Sequence, residues 1–479
     1  MSTRFSSADA AWLHMDRPSN LMVINSVLLF DEPVDWHEVR QIIQRRLVDV
    51  YPRFRQRAVE SRLPLRAPKW EDDPDFKIEH HLHHLALPAP GDDATLQEFI
   101  GDLMTMPLDR SRPLWHTYMI DGYGNGAAMI CRMHHCIADG IALARVMLSL
   151  TDAAPDVGVV AAPDGRNGGG SSVTDFVREA VGDLARFGVA AARQGTQIAT
   201  LPSHATRLAG AIARDGGTAL RLLLTPADAA TAIKGDPGIS RRVAWTDPIP
   251  LSGVKRIAHG HHATVNDVLL AAVTGALRHY LQDRGGPVAE IQAMVPFNLR
   301  PPDQPVPRKL GNRFGLVFLP LPVGTSGSYR RLVEVHRRMQ EIKDGRDGAV
   351  SYGLLSLTGL TPEPLERRII DLFTAKTTAV ITNVPGPPEP VYVAGTPVRT
   401  VLFWAPTSGH MGMSVSIFSY RGEVTVGLMV DAALVPDPDR ITGRLSDELE
   451  ALRPTRRSPR RAPGSRQRTR AGRKERSDA

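Results

Sequence analysis

The stretch His134-His135-Cys136-Ile137-Ala138-Asp139-Gly140 decides how this chain is interpreted. An apolar, strand-like run precedes it at residues 127–133, and an apolar helical run follows at residues 141–150. The two histidines therefore lie where a strand ends and a helix is about to begin. At such a turn Asp139 can bond nearby backbone N–H groups, and Gly140 tolerates unusual dihedral angles.

The two adjacent histidines offer acid–base chemistry near neutral pH. A neutral imidazole held at a strand end can take a proton from a hydroxyl or an amine. Because adjacent strand residues point to opposite faces, only one of His134 and His135 can face a given cleft. A bare pair of histidines is more often structural. The complete H-H-x-x-x-D-G string at a strand-to-helix junction favours a catalytic interpretation.

Composition limits the class of protein. A chain of 479 residues is long for one core, and its 42% hydrophobic and 23% charged residues suit a soluble globular protein of two domains. No charge-free apolar run is long enough to span a membrane, and the N-terminus lacks the pattern of a secretory signal. The two cysteines, Cys131 and Cys136, cannot readily bridge each other, which suits a reducing cytosol.

Changes in composition divide the chain into segments. Residues 153–172 are rich in Pro, Gly, Asp and Ser, as in a linker. The sequence pattern of residues 173–224 is that of Ala-rich helices, which predicts a crossover between domains or a lipid-facing amphipathic surface. We expect four segments: an N-terminal domain (1–152), a linker with a helical crossover (153–240), a C-terminal domain (241–453) and a disordered Arg-rich tail (454–479).

Two sequence patterns resemble a metal site and a dinucleotide-binding motif, respectively. The run Glu79-His80-His81-Leu82-His83-His84 looks like a metal site, but zinc ligands usually come from separated elements. We expect a strand and loop with ordinary histidines, and no metal. The glycines at 122, 124 and 126 suggest a dinucleotide motif, which requires a helix after the loop. A strand follows here, so we expect a hairpin turn.

Five motifs resemble those of the bacterial wax ester synthase/diacylglycerol acyltransferase family, a branch of the CoA-dependent acyltransferase superfamily. They are the histidine string, Pro113-Leu114-Trp115, Asn266-Asp267 heading a helix, Gly311-Asn312, and Asn383-Val384-Pro385-Gly386-Pro387. Each is weak evidence alone, but their order and spacing across about residues 4–453 are similar to the family's. Thr382 departs from the serine expected before Asn383, and its methyl group could narrow the substrate tunnel.

The resemblance implies an α/β (α+β) fold. Two chloramphenicol acetyltransferase-like domains would form a pseudo-dimer with a central tunnel, and the histidine would lie midway along it. Acyl-CoA, as co-substrate, and the hydroxyl acceptor would enter from opposite ends. The implied activity makes triacylglycerol from diacylglycerol and long-chain acyl-CoA, with wax esters from fatty alcohols as a further product. No cofactor is expected.

The resemblance also implies roles for the residues of the string. His135 would be the general base that deprotonates the acceptor hydroxyl for direct attack on the acyl thioester. No G-x-S-x-G nucleophile motif is present, and no covalent acyl-enzyme is required. His134 and Asp139 would support the base, and a buried Asp139 would need an arginine partner, either Arg55 or Arg300.

The tetrahedral oxyanion needs fixed hydrogen-bond donors. Asn266 is the first candidate, followed by Thr382 or Asn383. We also regard Thr382, Asn383, Trp115 and Asp267 as candidate substrate-binding residues. Trp115 is equally explained by packing, and Asp267 by capping the helix that it begins.

Two other classes of function stay open. One is a condensation-type acyltransferase acting on a carrier-bound or polyketide acceptor. The Pro-Leu-Trp, Asn-Asp and Asn-Val-Pro-Gly-Pro strings favour the lipid branch over it. The other is a non-catalytic lipid-binding or droplet-coating paralogue, which the intact histidine string disfavours.

The positive charge of the chain is concentrated in its tail. Residues 453–479 contain eleven Arg or Lys and two acidic residues, a local charge of +9, so the rest of the chain carries −2 of the total of +7. Such a tail attracts anionic lipid headgroups and nucleic acid alike. Beside a lipid-synthesising body we expect the membrane surface rather than a solvated extension with no role, and we do not expect nucleic acid. This predicts a cytoplasmic protein, peripheral on the inner face of the membrane or on lipid droplets.

Removing residues 454–479 should leave the specific activity in detergent nearly unchanged but weaken binding to anionic vesicles. The attraction should fade with added salt, since exposed charges are screened over roughly 8 Å at physiological ionic strength. Vesicle co-sedimentation of the full-length and truncated proteins measures this. Equal binding by both at low salt would contradict it.

Overall fold

The computed structural model describes residues 3–60, 67–156, 228–298, 307–312, 314–344, 368, 371 and 374–453. The predicted crossover (173–224), the basic tail and Arg300 lie outside these residues. The described part is mixed α/β, with sheets of six, seven and three strands.

The strands in chain order are β1 (Thr3–Arg4), β2 (Val23–Phe30), β3 (Gln56–Val59), β4 (Lys69–Asp72), β5 (Leu82–Ala86), β6 (Trp115–Tyr123), β7 (Gly126–His134), β8 (Arg241–Trp245), β9 (Ile249–Pro250), β10 (Ile291–Asn298), β11 (Phe314–Leu321), β12 (Ala379–Pro385), β13 (Tyr392–Val393), β14 (Thr396–Trp404), β15 (Met413–Tyr420) and β16 (Glu423–Asp431). The helices are α1 (Ser7–His14), α2 (Trp36–Ile42), α3 (Asp93–Thr105), α4 (Gly140–Leu148), α5 (Leu251–Gly260), α6 (Val265–Asp283), α7 (Ser328–Asp344), α8 (Asp439–Thr442) and α9 (Leu445–Ala451).

The first sheet holds the histidine string. Its order is β13-β14-β2-β7-β6-β5, so β7 lies in the interior and every one of its residues is buried. Burial on both faces explains why β7 is a nearly continuous apolar run rather than an alternating one. Tyr123 of β6 pairs with Gly126 of β7, which confirms the predicted hairpin.

The second sheet has the order β11-β10-β12-β15-β16-β8, with β9 also paired to β16. Its interior strands β10, β12 and β15 run parallel. The apolar helix α6 packs into the core of this half together with residues of these strands. Its start is fixed by a capping box in which Thr264 and Asp267 bond each other's backbone N–H groups.

Strand β14 crosses between the halves. It lies in the C-terminal part of the sequence, yet it pairs antiparallel with β2 and so extends the first sheet. A hydrophobic cluster containing Leu402 and Trp404 of β14 joins it to Val243 and Met429 of the second sheet. The predicted division into 1–152 and 241–453 assigned β14 to the C-terminal domain, although it pairs with a strand of the N-terminal one. Sequence order does not reveal which sheet a strand joins.

Two predicted helices are interrupted. The spacing of apolar residues between 36 and 51 predicts one helix, but the α-helix ends at Ile42 and six residues of π-helix follow. The last helix, predicted from 438 to 453, is two short helices, α8 and α9, separated near Gly443. Glycine is a poor helix former, which accounts for the second break.

Trp404→Ala should destabilise both halves together. Trp404 is fully buried, and a side-chain carbon at Gly427 of β16 would lie 3.0 Å from its ring nitrogen, so the ring packs closely on the second sheet. Truncating a buried Trp typically costs about 3–5 kcal/mol. Urea unfolding measures this, with Trp404→Phe as the graded control. A loss no larger than that of a surface substitution would contradict the cross-sheet role of β14.

Candidate active site

The histidine string forms the predicted strand–turn–helix. His134 ends β7, and the backbone N–H of His135 donates to the carbonyl of Met22 at 2.7 Å. Asp139 is the N-cap of α4 and accepts a hydrogen bond from the Ala142 N–H at 2.8 Å. The expectation of unusual dihedral angles at Gly140 is wrong, because this residue starts α4 and has no positive φ.

The ring of His135 is enclosed by aromatic side chains. It stacks on Trp12 with ring centres 4.0 Å apart and an angle of 18°, and it meets Phe314 at 5.4 Å. Burial lowers the pKa of His135 to about 4, although the charge of Asp139 and the backbone carbonyl of His135 itself act in the opposite direction. The imidazole is therefore neutral at pH 7 and able to accept a proton.

His134 has different partners. Its Nδ1 accepts the backbone N–H of Cys136 at 3.1 Å, so in the neutral ring the proton is on Nε2. That atom lies 3.7 Å from Oδ2 of Asp16, whose Oδ1 accepts the Met22 N–H at 2.7 Å. Burial raises the pKa of the Asp16 carboxyl group. The interactions with His134 and the hydrogen bond from the Met22 N–H lower this pKa by more, so the net shift is downward. These contacts agree with the prediction that His134 is a support.

Two residues without a predicted role, Asn312 and Asp9, are linked by hydrogen bonds to the backbone of His135. The Asn312 Nδ2 donates to the carbonyl oxygen of His135 at 2.9 Å and to Oδ1 of Asp9 at 2.8 Å. Both side chains are buried. Gly311-Asn312 was noted only as a family motif. Asp9 was missed because an Asp three residues after Ser6 resembles an ordinary helix start, and Ser6 does accept the Asp9 N–H.

The predicted oxyanion donors lie in the second half. Asn383 donates through Nδ2 to Oδ1 of Asn266 at 2.8 Å, so two of the three candidates are in contact. Asn266 is the second residue of α6 and is half-buried. The third, Thr382, directs its hydroxyl to the carbonyl of Val415 at 3.4 Å. Their role in catalysis stays a prediction.

Two candidate substrate-binding residues are buried in the core. Asp267 is fully buried and accepts hydrogen bonds from the Thr264 N–H at 2.9 Å and from Nδ1 of His336 at 2.7 Å. Trp115 is also fully buried and donates to the carbonyl of Phe54 at 2.8 Å. Capping accounts for the contacts of Asp267 and packing for those of Trp115, and a role of either in substrate binding stays a prediction.

The histidines of the run at residues 79–84 have partners within the protein. His81 bonds the Trp115 carbonyl at 2.9 Å, and His84 bonds Asp121 at 2.7 Å. Among the described residues, no three His, Cys, Asp or Glu side chains are grouped to hold a metal ion. Arg55, one predicted partner of Asp139, donates to the carbonyl of Val48 at 2.6 Å.

The fold defines the class of protein. The chain is similar to the wax ester synthase/diacylglycerol acyltransferase from Marinobacter aquaeolei VT8, with a TM-score of 0.65 and 22% identity over 94% of this chain and 98% of that one. It is also similar to the first condensation domain of the CDA synthetase, with a TM-score of 0.54 and 17% identity over 94% and 96% of the two chains. These likenesses confirm the predicted fold class.

Sequence comparison then gives the family. Residues 5–269 match the wax ester synthase/diacylglycerol acyltransferase catalytic domain, and residues 310–453 match the WS/DGAT C-terminal domain. The chain therefore belongs to the wax ester synthase/diacylglycerol acyltransferase family and is an acyltransferase, as the motifs predicted.

Named relatives come from Mycobacterium tuberculosis. One, named as a diacylglycerol O-acyltransferase (tgs1), is 29% identical over 411 residues, which are 84% of each chain. Another of the same named activity is 29% identical over 466 residues, 94% of this chain and 90% of the relative. In the part of the chain that the structure describes, no helix is both long and apolar enough to cross a membrane.

The free energy of unfolding should fall as the pH decreases below about 6.5. Burial lowers the pKa of His135 and of His81 to about 4, and that of His116 to about 3. The unfolded chain therefore binds protons that the folded protein excludes, and each such histidine contributes a slope approaching about 1.4 kcal/mol per pH unit between the two pKa values.

Denaturant unfolding at a series of pH values between about 7 and 5 measures this slope. His81→Phe, which keeps an aromatic ring beside Trp115, is the control and should show a smaller slope than the native protein. Equal slopes would mean that His81 titrates at its ordinary pKa in the folded protein.

Proposed function

We propose that this protein transfers the acyl group of a long-chain acyl-CoA to the hydroxyl of diacylglycerol, which gives triacylglycerol and free CoA. Fatty alcohols would be alternative acceptors and would give wax esters. The observation that carries the proposal is the neutral, buried imidazole of His135 at the junction of β7 and α4. Family membership and the named activity of the relatives support the choice of substrates.

In the proposed reaction His135 accepts the proton of the acceptor hydroxyl. The hydroxyl oxygen attacks the thioester carbonyl, the C–S bond breaks, and the imidazolium returns the proton to the departing sulfur. Because a base with a pKa of about 4 is a weak proton acceptor, we infer that the proton moves as the C–O bond forms rather than before it. Water would compete as an acceptor, and the wall formed by Trp12 and Phe314 limits its access.

The oxyanion of the tetrahedral intermediate would be stabilised from the second half. Since Oδ1 of Asn266 accepts a hydrogen bond from Asn383, the amide group of Asn266 is held in one orientation, with its NH₂ directed away from Asn383. We propose this NH₂ group as the donor. A donor fixed before the reaction stabilises developing charge without reorganisation, which is why such groups act on turnover more than on binding.

The location of the substrates supports a peripheral protein. Diacylglycerol and fatty alcohols are held in lipid phases, so we propose that the protein acts at the cytoplasmic membrane surface or on lipid droplets, where the Arg-rich tail would bind anionic headgroups. We propose no nucleic-acid partner and no cofactor.

Incubation of labelled palmitoyl-CoA with diacylglycerol, with hexadecanol and with no acceptor tests the substrate class, with products separated by thin-layer chromatography. We expect labelled triacylglycerol and a smaller amount of wax ester. Transfer only to a carrier-bound acceptor would favour a condensation-type enzyme. Lipid binding without turnover on any acceptor would favour a droplet-coating paralogue.

His135→Ala should lose roughly 10²–10⁴-fold in turnover, the contribution of a positioned general base, with folding largely intact. His135→Gln should also be inactive, because an amide can hydrogen-bond but cannot accept the proton. His134→Ala should be milder, with a loss that follows stability, since its ring contacts Asp16 and the turn.

Single-turnover acyl transfer and thermal melts of each variant make this measurement. An inactive, well-folded His134→Ala beside an active His135→Ala would show that the base has been assigned to the wrong histidine. Near-native rates in both would contradict the mechanism itself.

A further inference from the structure

We propose that helices α5 and α7 form the face with which the folded body binds an anionic membrane surface. The face consists of Lys255 and Arg256 on α5 and of Tyr329, Arg330 and Val333 on α7, and we call it the α5–α7 face. The inference rests on the proposed action at a lipid surface. It adds which part of the body contacts the lipid and which side of the site faces it.

The outer side of α7 carries two apolar side chains. Tyr329 is 58% exposed and Val333 is 49% exposed, and they are two of the five large apolar side chains that are exposed among the described residues. Because residues four apart lie on the same side of a helix, these two are neighbours. The opposite side of α7 is already packed in the core through Leu332, Val335 and Met339. The helix thus has apolar side chains where charged and polar ones are usual.

Helix α5 supplies positive charge beside this apolar surface. Lys255 and Arg256 are exposed, whereas Val254 and Ile257 are buried in the same core as α7. The sequence contains no Asp or Glu from 248 to 266. The charge of the two cations is therefore not offset by any carboxylate of α5 or of the segments that flank it.

Helix α7 adds one further cation to the face. Arg330 is exposed next to Tyr329. Arg337 lies on the same side of the helix, but it is paired with Glu334 at 2.6 Å and with Glu341, so it adds little net charge. The positive charge of the α5–α7 face therefore comes from α5 and from Arg330.

His261 joins the two helices at the place where the basic tail begins. Its ring lies 5.2 Å from the ring of Tyr329, and its Nε2 bonds the carbonyl oxygen of Leu452 at 2.8 Å. The next residue, Arg453, is exposed and is the first of the eleven Arg or Lys in residues 453–479. The tail, with its local charge of +9, therefore leaves the body at this face.

Charge and apolar exposure together select a membrane as the partner. Anionic headgroups attract exposed Lys and Arg, and tyrosine is enriched at the boundary between lipid and water. Nucleic acid would also attract the cations, but a phosphate backbone offers no apolar contact to the aliphatic side chain of Val333. A membrane surface satisfies both features, because apolar side chains enter the headgroup region while cations stay at its surface.

The face also adjoins the half of the site that α6 provides. His336 follows Val333 by three residues on α7, and its Nδ1 bonds Oδ2 of Asp267 at 2.7 Å. Asp267 follows Asn266, the proposed oxyanion donor, at the start of α6. A lipid acceptor that leaves the bilayer at the α5–α7 face therefore meets the protein beside the end of α6 that carries Asn266.

A fluorescent label at position 333 tests whether this face enters lipid. The native Cys131 and Cys136 are buried, so a cysteine introduced at an exposed position is labelled selectively. Val333→Cys and the control Leu85→Cys, whose position on β5 is 42% exposed, are each labelled with the environment-sensitive dye NBD in the full-length protein. The vesicles contain equal parts of phosphatidylcholine and phosphatidylglycerol.

We expect the emission of the label at 333 to rise and shift to shorter wavelength on vesicle binding, and that of the label at 85 to stay unchanged. An unchanged label at 333 in vesicle-bound protein, or an equal response at both positions, would overturn the proposal. A response at 333 that depends on protein concentration without vesicles would make the face a contact between copies of the chain, which would also overturn it.

Charge variants of the full-length protein provide the second test, by vesicle co-sedimentation at physiological ionic strength. Lys255→Gln/Arg256→Gln should weaken binding roughly 25-fold, about 5-fold for each cation lost from a membrane-facing position. The matched control is Lys69→Gln/Lys77→Gln, which removes the same charge from β4 and the loop after it and should weaken binding far less. Equal losses in the two double variants would show that only the total charge matters, and the face would be wrong.

The two proposals fail separately. A label at 333 that enters vesicles, in a protein that transfers no acyl group to any lipid acceptor, would support the face and contradict the proposed function. Triacylglycerol synthesis by a protein whose label at 333 stays in water would support the function and overturn the face.

Discussion

Burial of an uncharged imidazole between the two halves is the constraint on which the site depends. Desolvation disfavours the charged ring, so His135 stays neutral and can accept a proton, but the same burial makes it a weak base. Asp139 and Asn312 each act against burial and favour the protonated ring. The site thus combines exclusion of water, which a thioester-cleaving enzyme requires, with nearby groups that keep the imidazole basic enough to act.

The architecture holds these groups together by interleaving the halves. Strand β14 pairs with β2 next to β7, while Trp404 at its end packs on the second sheet. Asn312 reaches from the start of β11 to the turn after β7. Because strands and side chains cross in this way, opening one half from the other would expose apolar surface and break hydrogen bonds to the catalytic turn. Stability and catalysis therefore depend on the same interface.

What the sequence could predict was local. The periodicity around the histidine string gave β7, the turn and α4, and the motif order gave the family, because both depend on residues close in the chain or on recognisable strings. Asp9 and Asn312 are 303 positions apart, and no local sequence pattern predicts their contact. The burial of Trp115 and Asp267 could not be predicted for a related reason: whether a side chain in a motif faces a tunnel or the core depends on the tertiary packing of distant elements.

The two adjacent histidines show how the same side chain acquires two roles. Nδ1 of His134 is occupied by a backbone N–H from its own turn, which directs its proton-bearing Nε2 towards Asp16 and makes the ring part of the scaffold. The ring of His135 lies between Trp12 and Phe314. The backbone carbonyl of His135 accepts a hydrogen bond from Asn312, which lies in the other half of the molecule. Adjacent positions in one turn therefore place one imidazole against a carboxylate and the other between two aromatic rings.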